Sequence, residues 1–195
     1  PFPAVLHGTF ELSSYRNQLV DDTFGHNAFL IGKLAELLVK TALQISATYP
    51  EASYQPLKLL NIDFDNIDAI FNEYKLKELL HKQIKKSELF PTVNNTYITH
   101  AENPVNYSLP IAEIIYGEDV KNLLIHTQDA EIKNFLKIIG SYIYTIPHFM
   151  SILSKRMTQL PISEYARLLY YFVNSHEAKI SNDSFKVNEM SPVFI

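Results

Sequence analysis

Leu30, Leu34, Leu37, Leu38, Thr41 and Ile45 recur at steps of three and four residues. That spacing forms one stripe of an amphipathic helix over about Asn27 to Thr48, capped by Asn27 and stopped near Pro50. Upstream, Ala4 to Leu12 alternate and are rich in β-formers, so they predict a strand. Ser13 and Ser14 then make a polar turn, and Arg16 follows just ahead of the helix. A second helix follows Pro56 through Leu57, Leu59 and Leu60. In a third, Leu76, Leu79, Leu80 and Ile84 form the buried stripe, while Lys75, Lys77, Lys82, Lys85 and Lys86 point elsewhere. It must end before Pro91, which disfavours helix at Phe90. Thr92-Val93 and Thr96 to Thr99 flank Asn94-Asn95, a pair tolerant of positive φ, which predicts a hairpin with a two-residue loop. Beyond Gly117, short elements around Leu123 to Ile125 lead to helices near Ala130–Ile139, Pro147–Met157 and Ser163–Val173, with Pro161 and Ser163 marking the start of the last.

The pattern predicts an α+β fold, mainly helical, with a short N-terminal strand and a small β-hairpin packed against several helices. It reads as one domain, or as two tightly packed subdomains divided near 66–75. The segment from Ala178 to Ile195 is polar and then apolar, with little helix signal. A proline start and an apolar end at Pro192 to Ile195 suggest a piece of a longer polypeptide.

Composition narrows the classes. The chain has 195 residues and is 47% hydrophobic, ample for a core. Its longest apolar runs, such as Ile143 to Ile146, are far too short to span a bilayer, and no signal peptide opens the chain. Cysteine is absent, which excludes disulfides and thiolate metal sites and is compatible with a cytoplasmic setting. A net charge of -4 argues against a protein built to coat nucleic acid or anionic lipid.

Asn61 to Asp68 offers three carboxylates, Asp63, Asp65 and Asp68, as oxygen donors for a divalent cation. The calcium-loop pattern needs glycine at its sixth position, where Asp68 stands, and helix capping by Asp63 or Asp65 ahead of Ile67 to Phe71 is the favoured reading. The seven histidines never pair at the spacing of a helical or hairpin metal site, so no metal site is assigned; His7 is kept because it shares the strand leading to Arg16. The lysines of residues 75–86 are interrupted by Glu73, Glu78 and Glu88, as in a solvated helix face with i,i+4 pairs. Tyr142, Tyr144, Tyr165, Tyr170 and Tyr171 could stack on bases, but at helical spacing they suit core or interface better. Neither a G-x-S-x-G nor a P-loop motif is present.

The start of the chain carries the strongest motif. Phe10 to Leu19 resembles the LPLN-x-SRE-x-L segment that follows the nucleotide-binding domain in HtpG-type chaperones, with Arg16 on its arginine. Pro3 to Arg16 is similar to the FPV-x-(hydrophobic)-x-G-x-F-x-L-x-x-x-R pattern of sacsin-like members of the GHKL ATPases. Leu89 to Ile98 resembles the FPTV-(turn)-x-Y segment downstream in the same group. Asn17 replaces the chaperones' glutamate, and Val20 stands where they have glutamine.

The resemblance implies a middle region with no ATPase activity alone. Arg16 would reach the γ-phosphate of ATP held by the preceding nucleotide-binding domain, supported by the turn residues Ser13, Ser14, Asn17 and Gln18. Arginine suits that task because its planar, permanently charged fork offers five donors. ATP and magnesium would belong to that preceding domain, since this chain lacks the glycine and acidic-asparagine motifs that hold them; no cofactor is expected here. A protein client, unidentified, is the other partner implied. In the competing reading Arg16 ties strand to helix through carbonyls or a carboxylate. The alternative functions are a scaffold domain using its tyrosine-rich helices as a partner surface, and a nucleic-acid-associated module using the lysine face.

Overall fold

A computed structural model describes residues 10, 12, 25–65, 67, 69–106, 114, 121–143 and 159–174. The elements run α1 (His26–Thr48), α2 (Gln55–Leu60), α3 (Ala69–Glu73), α4 (Leu76–Lys86), β1 (Phe90–Pro91), β2 (Tyr97–Ile98), a 3-10 turn (His100–Glu102), β3 (Val105–Asn106), α5 (Ala130–Ile139), β4 (Tyr142–Ile143) and α6 (Ile162–Asn174). The architecture is α+β and mainly helical.

The first helix keeps its predicted length, but its stripe is rotated. Ile31, Leu34, Ala35, Leu38, Val39 and Ala42 are buried, whereas Leu37 is 56% exposed. The small residues Ala35 and Ala42, passed over in a count of large apolar positions, let neighbours approach closely. Asn27 is buried inside the first turn; the cap position belongs to Gly25, in the left-handed region at φ 72°. Its carbonyl accepts the first intrahelical bond, from the Phe29 N–H at 2.9 Å, and glycine adopts that conformation without strain. Pro56 falls in the first turn of α2, where a missing N–H costs nothing.

α1 packs on α2 and α4. Leu57 and Leu60 of α2 and Leu76, Leu80 and Ile84 of α4 are fully buried, and Leu79 only partly. Burial of each leucine contributes about 1.5–3 kcal/mol. Leu89, Phe90 and Ile98 join the same core, as do Ile132, Phe135, Leu136 and Ile139 of α5. Phe10 packs against it from the N-terminal side, and Leu12 lies in a β-bridge. The rest of the predicted N-terminal strand, the helix predicted near Pro147–Met157, and the Ala178–Ile195 segment lie outside the described residues.

The hairpin is present, with a different loop. β1 and β2 pair antiparallel, Phe90 opposite Ile98 and Pro91 opposite Tyr97. Thr92 N–H donates to the Thr96 carbonyl at 2.8 Å, and Asn95 N–H donates to the Thr92 carbonyl at 3.1 Å. Three residues, Val93, Asn94 and Asn95, therefore make the loop, and Asn95 sits at φ 60°. This is a β-turn closed by one left-handed residue, the usual three-residue solution. Asn95 is held there because its side chain also grips the α1–α2 connection: Oδ1 accepts from Ala52 N–H, and Nδ2 donates to the Pro50 carbonyl at 3.0 Å. Tyr97 adds a second grip, its hydroxyl accepting from Ser53 N–H at 3.0 Å.

β3 and β4 pair parallel, Val105 opposite Tyr142. The isolated bridges Thr92↔Leu124 and Val105↔Leu123 join the two pairs into a narrow ribbon. Thr92 and Val105 are wholly buried along it.

Candidate functional site

Where α2 ends, the chain alternates strictly: Ile62 and Phe64 are buried, Asp63 and Asp65 exposed. Leu60 anchors this segment in the core, and Ile62 N–H turns back to the Leu60 carbonyl at 3.0 Å. Asp63 Oδ1 accepts from Asp65 N–H at 3.2 Å, so the two carboxylates are presented by a local side-chain turn. α3 begins only at Ala69, which leaves Asp63 and Asp65 outside its cap position. The expected capping role is therefore not theirs.

These residues form one wall of a groove of about 520 Å³. Lys77 and His81, one helical turn apart on α4, form the second. Glu131, Asn134, Phe135 and Ile138 of α5, at steps of three and four, form the third. The α5 wall is fixed at its start: Asp129 caps the helix, accepting from Glu131 N–H at 3.0 Å and Ile132 N–H at 3.3 Å. Its other oxygen lies 2.8 Å from Lys58 Nζ of α2. Lys58, and then the cap bonds, hold the Asp129 carboxyl below its ordinary range.

His81 lines the groove between two aromatic rings. Its ring meets Phe64 edge to face with centroids 6.3 Å apart, and Phe135 at 6.2 Å. Burial, then the neighbouring charges of Lys77 and Lys85, push its pKa below the ordinary histidine value. Lys77 Nζ stands 5.9 Å from the centroid of the Phe64 ring, a cation–π contact. The lining carries three carboxylates, Asp63, Asp65 and Glu131, against one lysine, Lys77, and the Lys85 charge lies near His81. Ile138 adds an apolar side chain that is 51% exposed at the rim.

Arg16 and its supporting residues Ser13, Ser14, Asn17 and Gln18 lie outside the described residues, as does His7. The lysines of α4 do not make the expected pairs with Glu73, Glu78 and Glu88. Among the described residues the ion pairs are Lys33–Glu36 and Lys58–Asp129. Lys77 turns inward over Phe64 instead, and Lys75 starts α4 in the left-handed conformation at φ 56°, which alters its direction from the helical spacing assumed. Among the described residues no three histidines or carboxylates converge to hold a metal, and no helix is long and apolar enough to cross a membrane. Sequence reasoning missed His81 as a groove residue. Its signal was the i,i+4 pair with Lys77, readable only once Phe64 and Phe135 were known to face it.

No family model, curated protein or solved structure matches this chain.

Proposed function

We propose that this chain is the middle region of a cytoplasmic GHKL-type ATPase of sacsin-like character. In this reading Arg16 contacts the γ-phosphate of ATP bound by the preceding domain, and the helices behind it relay nucleotide state to a protein client. One observation supports it most. The two sequence patches that carry the resemblance, far apart along the chain, share a core: Phe10 packs against the cluster that contains Leu89, Phe90 and Ile98. The groove is a poor alternative home for a triphosphate, because Asp63, Asp65 and Glu131 would repel it.

Arg16 acts on charge that develops as the terminal phosphoryl group transfers, so its contribution belongs to the transition state. In the intact polypeptide, Arg16→Ala should lower kcat by about a hundredfold, in the range seen when one such donor is removed, with KM for ATP little changed. Arg16→Lys should restore part of the rate, since it keeps charge but loses the fork. Steady-state ATP hydrolysis alongside thermal melting tests this. Unchanged turnover per folded molecule, combined with loss of fold stability, would return Arg16 to a structural tie between strand and helix.

A further inference from the structure

The groove between the 61–65 segment, α4 and α5 is built for a ligand of opposite character to the nucleotide. Ile62, Phe64 and Phe135 line the groove with buried apolar side chains that leave only their edges accessible, and Ile138 adds an apolar side chain that is half exposed. Exposed carboxylates come from two separate elements: Asp63 and Asp65 from the segment after α2, Glu131 from the first turn of α5. Lys77 is the one lysine of the lining, and its ammonium is turned over the Phe64 ring. An acidic rim around apolar side chains is the arrangement that anchors one bulky apolar side chain and selects its charged neighbours.

We propose that this groove is a docking site for a basic peptide segment of a protein partner, in which a large apolar residue is flanked by lysines or arginines. The apolar residue seats against Phe135 and Ile138, and the flanking cations face Asp63 and Asp65 on one side and Glu131 on the other. The volume, about 520 Å³, lies within the range of about 300–1,000 Å³ typical of ligand sites. It accommodates one large side chain and the backbone beside it. Binding there requires nothing of Arg16.

The test uses the full chain and a fluorescein-labelled peptide with one phenylalanine between two lysine pairs in a glycine–serine background. Fluorescence anisotropy is expected to show saturable binding that weakens with added salt. A twin peptide with glutamate for each lysine should bind at least about tenfold more weakly. The triple variant Asp63→Asn, Asp65→Asn, Glu131→Gln should lose about tenfold for the basic peptide, from several rim pairs of modest individual strength. Ile138→Ser should weaken the basic peptide comparably while leaving its salt dependence intact, which separates the apolar anchor from the charged rim. These positions are exposed, and circular dichroism checks that each variant keeps the helical fold. Absence of saturable binding, equal binding of the two peptides, or full affinity in the triple variant would each overturn the proposal.

Discussion

Asn95 makes two separable contributions, one through its backbone and one through its side chain, and a short substitution series distinguishes them. Its backbone occupies the left-handed region at φ 60°, where residues other than glycine, asparagine and aspartate are strained. Its side chain gives one donor and one acceptor to the backbone of Pro50 and Ala52. Both bonds are exposed, so each falls near the lower end of the usual net range, about 0.5 kcal/mol. Exchanging asparagine for alanine in the left-handed region adds about 1 kcal/mol. Asn95→Ala should therefore cost about 2 kcal/mol, lowering Tm by about 4–8 °C for a chain of this size. Asn95→Gly loses both bonds but escapes the backbone penalty, and should cost about 1 kcal/mol, half the alanine value. Asn95→Asp keeps the acceptor and tolerates the conformation, so it should lie between wild type and alanine. Asn94, also exposed but not in the left-handed region, is the control: Asn94→Ala should stay within about 0.5 kcal/mol. Thermal and urea unfolding by circular dichroism give the ranking. If the glycine and alanine variants at 95 melt together, the backbone argument fails. If alanine at 94 costs as much as alanine at 95, the loop is the two-residue turn first expected and the assignment is wrong.

Gly140 ends α5 at φ 86°, and a Cβ there would stand 3.8 Å from His100 Nε2, an ordinary contact. Gly140→Ala should thus cost about 1 kcal/mol of backbone strain with no steric surcharge, and Gly140→Asn less, as read from urea midpoints. His81 carries a folded-state pKa below its unfolded value of about 6.5, so the unfolded chain takes up the proton first. Stability should be fully present above about pH 6.5 and fall as the pH drops below it, until the folded form also protonates. His81→Gln should flatten that part of the Tm–pH curve, and an unchanged slope would show that His81 is not the group responsible.

How far the sequence foretold these features depends on what each one requires. Helical periodicity is a property of neighbours three and four apart, so α1, α4 and α5 could be read directly, as could the hairpin between Phe90 and Ile98. Which way a stripe faces is harder. Leu37 fits the α1 stripe by spacing and hydrophobicity, yet Ala35 and Ala42 are buried in its stead. Small residues carry a weak periodic signal even where they set how closely helices pack. The hairpin loop failed for a different reason. Asn94 and Asn95 are chemically identical, and only Pro50 and Ala52, more than forty positions earlier, decide which one turns left-handed.

The groove illustrates the limit most sharply. The run from Asn61 to Asp68 shows three carboxylates in the sequence, and helix capping is the explanation that spacing favours. The start of α3 at Ala69 leaves Asp63 and Asp65 away from the cap and on an open wall. What makes them part of a site is Phe135 and Glu131 of α5, a helix seated in the core by Ile132, Leu136 and Ile139 and joined to α2 by the Lys58–Asp129 pair. That pair joins an unremarked lysine to an N-cap residue some seventy positions later, and neither stood out in the sequence. A cluster with no spacing of its own therefore had no motif to find. Its acidity and its exposed isoleucine become a recognition surface only because three elements share one core, which is why charge reversal of the ligand, rather than any single-residue deletion, is the discriminating measurement.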